Sequence, residues 1–328
     1  MSSKKKRNPA YIDSDYDYQR RITVTSQSDA ERKHQNKFPS ISQSFTDLVI
    51  QADVKEDYDY KRTLSRHGYI IIKEIANTLQ GFIFEAKDIE TNEIVIVKMA
   101  EIALFKRKKS RCGASVQENI FQEMKLIKDI QRKCSSKSFV KFIESFQDSK
   151  YFFAIMEHGG QGFFDYVVTS HQRIENNEIS KDEWKKHLKV LFKQIVKLIS
   201  WLHNECFVCH LDISLENMVI KGVKYDYKEN KFIKHGRLSL IDYGLAERFK
   251  PRNFSCKKYV GKTGYCCPNI WNQNKFDARK ADVYSLSICF FMAYIGAPPY
   301  KKPSIKKDKA FRLIYNNEYG LHKLLKHW

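Results

Sequence analysis

No apolar stretch of this 328-residue chain is long and uninterrupted enough to cross a bilayer. The longest uncharged segment, Val283 to Tyr300, is broken by Ser285, Ser287, Gly296, Pro298 and Pro299, which predicts a buried core helix instead of a span. No apolar segment follows the basic residues of MSSKKKRNPAYIDSDYDYQ, so secretion is not expected. No second cysteine pair stands at zinc spacing from Cys206-x-x-Cys209, which leaves that pair a core or chance role. With 8 cysteines and no secretion signal, reduced thiols in the cytosol or nucleus are expected, without disulfides. No internal repeat is present.

Negative charge is also scarce, 38 Asp+Glu against 58 Lys+Arg, for a formal net charge of +20. A field of that sign draws anions, so nucleic acid, an anionic membrane and polyphosphate are candidate partners. Residues 1–66 hold 13 Lys/Arg and 10 Asp/Glu, so most of the excess lies beyond them. It gathers at Lys106, Arg107, Lys108, Lys109 and Arg111, and again at Lys301, Lys302, Lys306, Lys307 and Lys309. Such runs are more often solvated faces than binding sites, and nucleic acid stays a minority reading. Lys4-Lys5-Lys6-Arg7 resembles a nuclear import patch, so the location expected is cytoplasmic with a nuclear alternative.

Hydrophobic residues make up 42% and aromatics 13%, enough to bury a large core in about two units. Residues 1–66 contain only 11 Leu, Ile, Val or Phe and are expected to form a tail with no core of their own. From Tyr69 the pattern changes. YIIIKEI, GFIFEAKD and IVIVKMA predict three strands of an antiparallel meander, and FVKFIESF and YFFAIME continue the sheet. Between them ENIFQEMKLIKDIQ, residues 118–131, sets Phe121, Met124, Ile127 and Ile130 at helical spacing with Glu123 beside the stripe. After Gly159-Gly160, Trp184, Leu188, Leu191, Phe192, Ile195, Ile199 and Leu202 mark the apolar face of a long helix. Sheet first and helix second predicts an α+β fold in two lobes, residues 67–158 and 159–328.

Directly after that helix stands His210-Leu211-Asp212-Ile213-Ser214-Leu215-Glu216-Asn217, and Asp242-Tyr243-Gly244 follows 25 residues past the Asn, after the strand LSLI. This order resembles the catalytic loop and metal-binding element of the eukaryotic protein kinases, over about residues 67–328. The resemblance implies ATP and Mg²⁺ as cofactors and a protein with a Ser or Thr acceptor as substrate. Phosphoryl transfer moves a highly charged group, so the protein must hold metal on the phosphates and orient the incoming hydroxyl. The resemblance gives Asp212 the hydroxyl's proton, and gives Asn217 and Asp242 the metal through hard oxygens. Lys98, ending the strand IVIV, resembles the lysine that positions the α- and β-phosphates, and Glu123 the helix carboxylate that aims it.

The nucleotide wall follows from the same likeness. Gly81, 17 residues before Lys98, and Ile83 match the end of a glycine-rich loop, but Ala76 and Thr78 replace its first two glycines, which predicts weaker nucleotide binding. Ile96 replaces a small roof residue and crowds the ring. Met156 is implied as gatekeeper, the backbones of Glu157 and Gly159 as the adenine edge, and Val219 as part of the floor. His158 is implied to be an ordinary hinge residue, and Ile127, Phe142, His210 and Tyr243 an internal stack linking the lobes.

Several positions depart from the family. Leu211 replaces the arginine that answers an activating phosphate, so activity is not expected to depend on phosphorylation at Ser255, Tyr259 or Thr263. Ser214 replaces a lysine that touches the γ-phosphate. Gly261-Lys262-Thr263-Gly264-Tyr265-Cys266-Cys267-Pro268-Asn269 resembles the peptide-binding loop, with Asn269 for a glutamate, and its G-x-x-x-Y frame favours Ser/Thr over Tyr. Asp282 resembles the anchor of the catalytic loop. With the chain ending at Trp328, the second lobe is expected to be incomplete and to leave Phe290, Phe291 and Tyr294 partly uncovered. The leading expectation is thus a Ser/Thr kinase, with a pseudokinase as rival on the strength of Ala76, Thr78, Ile96 and Ser214.

Overall fold

The structure, a computed structural model, describes residues 59–133 and 138–316. Strands β1 (Tyr69–Asn77), β2 (Gly81–Asp88) and β3 (Ile94–Glu101) form the expected meander. A short helix precedes them, α1 (Tyr60–Arg66), and two follow, α2 (Ile102–Arg107) and α3 (Ile120–Lys133). Strands β4 (Phe142–Gln147) and β5 (Tyr151–Glu157) complete one antiparallel sheet in the order β1-β2-β3-β5-β4. Alternation in these strands sends Phe84, Val95, Val97, Met99 and Phe153 into a core shared with Leu64 of α1.

The larger lobe begins with β6 (Gln161–Gly162), α4 (Phe163–Glu175) and α5 (Lys181–Trp201). Ser180 caps α5, its hydroxyl accepting the Glu183 amide proton at 3.1 Å, so the S-x-x-E spacing fixes where the helix starts. Short strands follow: β7 (Val208–Cys209), β8 (Met218–Lys221), β9 (Lys224–Asp226), β10 (Lys231–Lys234), β11 (Arg237–Leu240), β12 (Glu247–Arg248) and β13 (Ser255–Cys256). Then come α6 (Pro268–Trp271), β14 (Phe276–Asp277), α7 (Ala278–Ile295) and α8 (Lys309–Asn316). Asp277 caps α7, and Gly296 ends it in the left-handed conformation at φ 89°. All seven apolar residues expected on the long helix are buried, Leu202 one position beyond its end.

Four expectations change. The tail does not reach residue 66, because α1 packs on the sheet, with Leu64 fully buried and Tyr60 stacked on Phe84. In α3 the buried stripe holds Ile120 in place of Phe121, whose ring instead meets Phe105 and Phe152 at the helix edge. β4 starts at Phe142, since Phe139 bridges to Leu240 of the large lobe. Arg111, from the first basic cluster, lies over the Phe82 ring, whereas Lys106 to Lys109 are solvated. Phe290 and Tyr294 are exposed among the described residues and Phe291 half-buried. The import patch and the expectation about Trp328 lie outside the described residues. No helix among the described residues is long and apolar enough to cross a membrane, and their seven cysteines are free thiols.

Candidate active site

The pleat of three strands sets the roof of the cleft. Ile83, Lys98 and Ala154 form one cross-strand row, and Glu85, Ile96 and Met156 the next. Lys98 Nζ donates to both Glu123 oxygens at 2.8 and 3.0 Å and to Asp242 Oδ1 at 3.1 Å. Burial works against the ammonium, but the carboxylates of Asp242 and Glu123 hold its pKa well above the ordinary value. The Lys98 charge in turn holds Asp242 below the usual carboxylate range. Asp242 occupies the left-handed region at φ 62°, uncommon for a residue other than glycine.

Gly81 meets a steric demand of the sheet itself: a Cβ there would lie 2.0 Å from the Met99 carbonyl oxygen. Its contribution to a ligand is therefore limited to backbone. Ala76 and Thr78 flank the hairpin, with the Thr78 amide donating to the Gly81 carbonyl at 2.9 Å. At the hinge, the Glu157 side chain pairs with Arg237 and accepts from the Lys141 amide, and the Glu157 amide donates to the Lys141 carbonyl at 2.8 Å. A Cβ on Gly159 would lie 2.4 Å from Val219 Cγ2, so these two expected lining residues are in close register. His158 has its carbonyl held by Lys221 Nζ at 3.2 Å and its ring 3.6 Å from Glu85.

The floor is wired from α7. Asp282 Oδ2 accepts from the His210 amide and His203 Nε2, and its Oδ1 from the Leu211 amide, each at 2.8 Å. These bonds stabilise the left-handed Leu211 at φ 63°. They also account for the close grouping of His203, Cys209 and Asp282, whose carboxylate already serves three donors. The Leu211 side chain is buried in one apolar cluster with Phe254, Cys256 and Val260.

Asn217 Nδ2 donates to the Asp212 carbonyl and to Asp212 Oδ2, both at 2.8 Å. Its Oδ1 accepts from Lys262 Nζ at 3.3 Å. Asp212 Oδ1 is buried without a protein hydrogen-bond partner among the described residues. Burial pushes the Asp212 carboxyl up to about 6, although the nearby Lys262 charge pulls the other way. The His210 and Tyr243 rings meet at 4.8 Å with their planes tilted by 58°, and Tyr243 also meets Phe139, a partner absent from the expected set. Ile127, Phe142 and Tyr243 share the main core.

Two charged residues of the cleft escaped the sequence reading. Glu118 lies beside Gly244, and burial with the Asp242 charge pushes its carboxyl up to about 7. Lys262 reaches Ser214 Oγ at 2.8 Å and Asn217 Oδ1 at 3.3 Å. Four carboxylates, Glu118, Glu123, Asp212 and Asp242, thus surround two ammonium groups. That excess of hard anionic oxygen, with the buried orphan oxygen of Asp212, fits a divalent cation held by Asn217 and Asp242.

Residues 69–323 match the family model of the protein kinase domain. The SNF-related serine/threonine-protein kinases of Homo sapiens and Rattus norvegicus are each 27% identical over 246 residues, 75% of this chain. The alignment covers 26% of the human and 27% of the rat protein. Serine/threonine-protein kinase SRK2E of Arabidopsis thaliana is 25% identical over 256 residues, 77% of this chain and 61% of that protein. This chain spans from about a quarter to about three fifths of these relatives.

Proposed function

Because this chain belongs to the protein kinase family, we propose that it is a protein serine/threonine kinase that uses ATP and Mg²⁺. One observation carries the reading: Lys98 is paired with Glu123 across to Asp242 while Asn217 fixes Asp212, so the groups phosphoryl transfer needs share one cleft. The names of the Arabidopsis and mammalian relatives favour a Ser/Thr acceptor.

In this reading Asp212 is the catalytic base. With its pKa at about 6 it is ionised at neutral pH, and its orphan Oδ1 is free to accept the hydroxyl proton as the hydroxyl oxygen bonds to the γ-phosphorus, the bond from that phosphorus to the bridging oxygen breaks and ADP leaves. Asn217 orients Asp212 through Nδ2. Lys98, aimed by Glu123, positions the α- and β-phosphates. Asn217 and Asp242 would hold Mg²⁺, which when bound neutralises phosphate charge. The nucleotide would lie between Ile83, Ile96, Met156 and Val219, its adenine edge on the backbone of Glu157 and Gly159.

Incorporation of labelled phosphate from ATP into a Ser/Thr peptide library tests this, with Asp212→Asn as control. The wild type is expected to label and the variant to lose about 10²–10⁴-fold, the range for a positioned base. Equal labelling by both would refute the role of Asp212. No labelling by wild type, with ATP still bound, would favour the pseudokinase.

A further inference from the structure

Position 214 leaves a chemical gap in the reading above. Ser214 cannot supply charge, and its side chain is fully buried beneath the cleft. An ammonium group nevertheless stands on top of it. Lys262 Nζ donates to Ser214 Oγ at 2.8 Å and to Asn217 Oδ1 at 3.3 Å, with Glu216 Oε2 at 3.7 Å on its other side. The Lys262 side chain keeps 32% of its surface exposed while its ammonium is held at these contacts.

The backbone explains why this lysine arrives there. Gly261 is left-handed at φ 78°, and a Cβ on it would lie 2.8 Å from the Leu211 carbonyl oxygen and 3.6 Å from Asp212 Oδ1. Only glycine lets this segment lie against the catalytic loop. Immediately after it, the Lys262 carbonyl accepts from the Tyr265 and Cys266 amides at 3.0 and 2.9 Å, and Ser285 Oγ holds the Tyr265 carbonyl at 3.0 Å. The side chain therefore starts from a pinned backbone beside Asp212, and its direction is set by two acceptors.

Lys98 cannot provide this charge, since its three bonds already go to Glu123 and Asp242. A transferring phosphoryl group oriented toward Asp212 would bring more negative charge beside the Asp212–Asn217 pair, into a cleft already rich in carboxylates. A cation at that point lowers the energy of the transition state more than that of the separated reactants.

We propose that Lys262, supplied by the segment after Asp242, is a catalytic residue that takes over from the lysine absent at position 214 and contacts the transferring phosphoryl group. The proposal rests on the kinase reading. It also explains how Ser214 and catalysis coexist, since the charge is relocated along the sequence and kept in place in space.

Calorimetric titration with ATP and with ADP, each with Mg²⁺, tests the contact in the wild type, Lys262→Met and Lys262→Gln. Loss of a contact to the terminal phosphate is expected to weaken ATP about tenfold in both variants, which corresponds to about 1.4 kcal/mol, and to leave ADP within about twofold. The kcat of each variant is expected to fall about 10²–10³-fold, the range for removing one group that stabilises transition-state charge. Adding Ser214→Lys to Lys262→Met should recover at least about tenfold of kcat, and the difference between ATP and ADP with it. Wild-type affinity for both nucleotides in the variants would overturn the proposal, as would equal loss of both with a lower melting temperature. A wild type that transfers no phosphate would refute the kinase reading, and the comparison of ATP with ADP would still decide the contact of Lys262.

Discussion

The two walls of the cleft differ in how they hold their residues. On the small-lobe side, the β1–β2 hairpin exposes Ile70, Ile72, Ile75 and Leu79, and its pairing slips between Ile71 and Lys73 and again between Glu74 and Ala76. On the large-lobe side, His210, Leu211, Ile213, Ser214, Leu215 and Asn217 are buried, and Asp282 ties the loop's backbone directly. A change on the rim alters the fit of a ligand and little else. A change in the floor has to be answered by a neighbour, as Lys262 answers Ser214 and the Phe254 cluster answers Leu211.

The sharpest way to break this contrast is Asp282→Ala. It orphans two buried amides and leaves His203 without its acceptor, and is expected to cost about 3–5 kcal/mol, the range for breaking a buried charged network. Urea melts measure it, and a loss below about 1 kcal/mol would mean the loop holds its shape without the anchor.

A second measurement addresses the large lobe far from the cleft. His187 bonds Tyr166 Oη and His235 Nδ1, both at 2.9 Å, and stacks on Phe232 at 3.8 Å. Burial, helped by the His235 charge, lowers its pKa from 6.5 to about 3. Between those values the unfolded chain binds a proton that the folded chain refuses, so stability falls as pH drops from 6.5 toward 3. Urea melts at pH 7 and pH 4.5 are expected to show a smaller loss for His187→Gln than for the wild type, and parallel losses would dismiss the role.

The smallest effect belongs to the rim. Ala76→Gly with Thr78→Gly should lower the KM for ATP a few-fold while costing up to about 1 kcal/mol of stability per site, since glycine in a strand or turn gives up backbone entropy. An unchanged KM would mean that the two side chains do not crowd the phosphates.

What could be read from the sequence follows from how local each signal is. β1 to β3 and α5 declare themselves through period, and Lys98, Glu123, Asp212, Asn217 and Asp242 through the resemblance of their motifs to those of the protein kinases. Helix α1 has one fully buried apolar residue, Leu64, so its seven residues show no periodicity, and the Asp59 cap and docking on Phe84 define it. Phe121 and Ile120 are adjacent at a helix start, where a one-residue offset exchanges the buried and the edge position. Lys262 lies 48 residues from Ser214, and no local pattern links them. A lysine within the glycine-framed segment, paired with the missing lysine at 214, was the one available signal.

The hinge has a mechanical consequence. Gly159 and Gly160 press against Val219 and Ile220, β6 pairs with β8, Lys221 grips the His158 carbonyl and Arg237 grips Glu157. The strap between the lobes is therefore tied to both: to the large lobe by these contacts, and to the small-lobe sheet by the Glu157 amide, which donates to the Lys141 carbonyl at 2.8 Å, and by the His158 ring, 3.6 Å from Glu85. Lys98 and Glu123 both belong to the small lobe, so a displacement of one lobe against the other would leave their pair intact. Lys98 and Asp242 belong to different lobes, so their 3.1 Å contact would register any such displacement first.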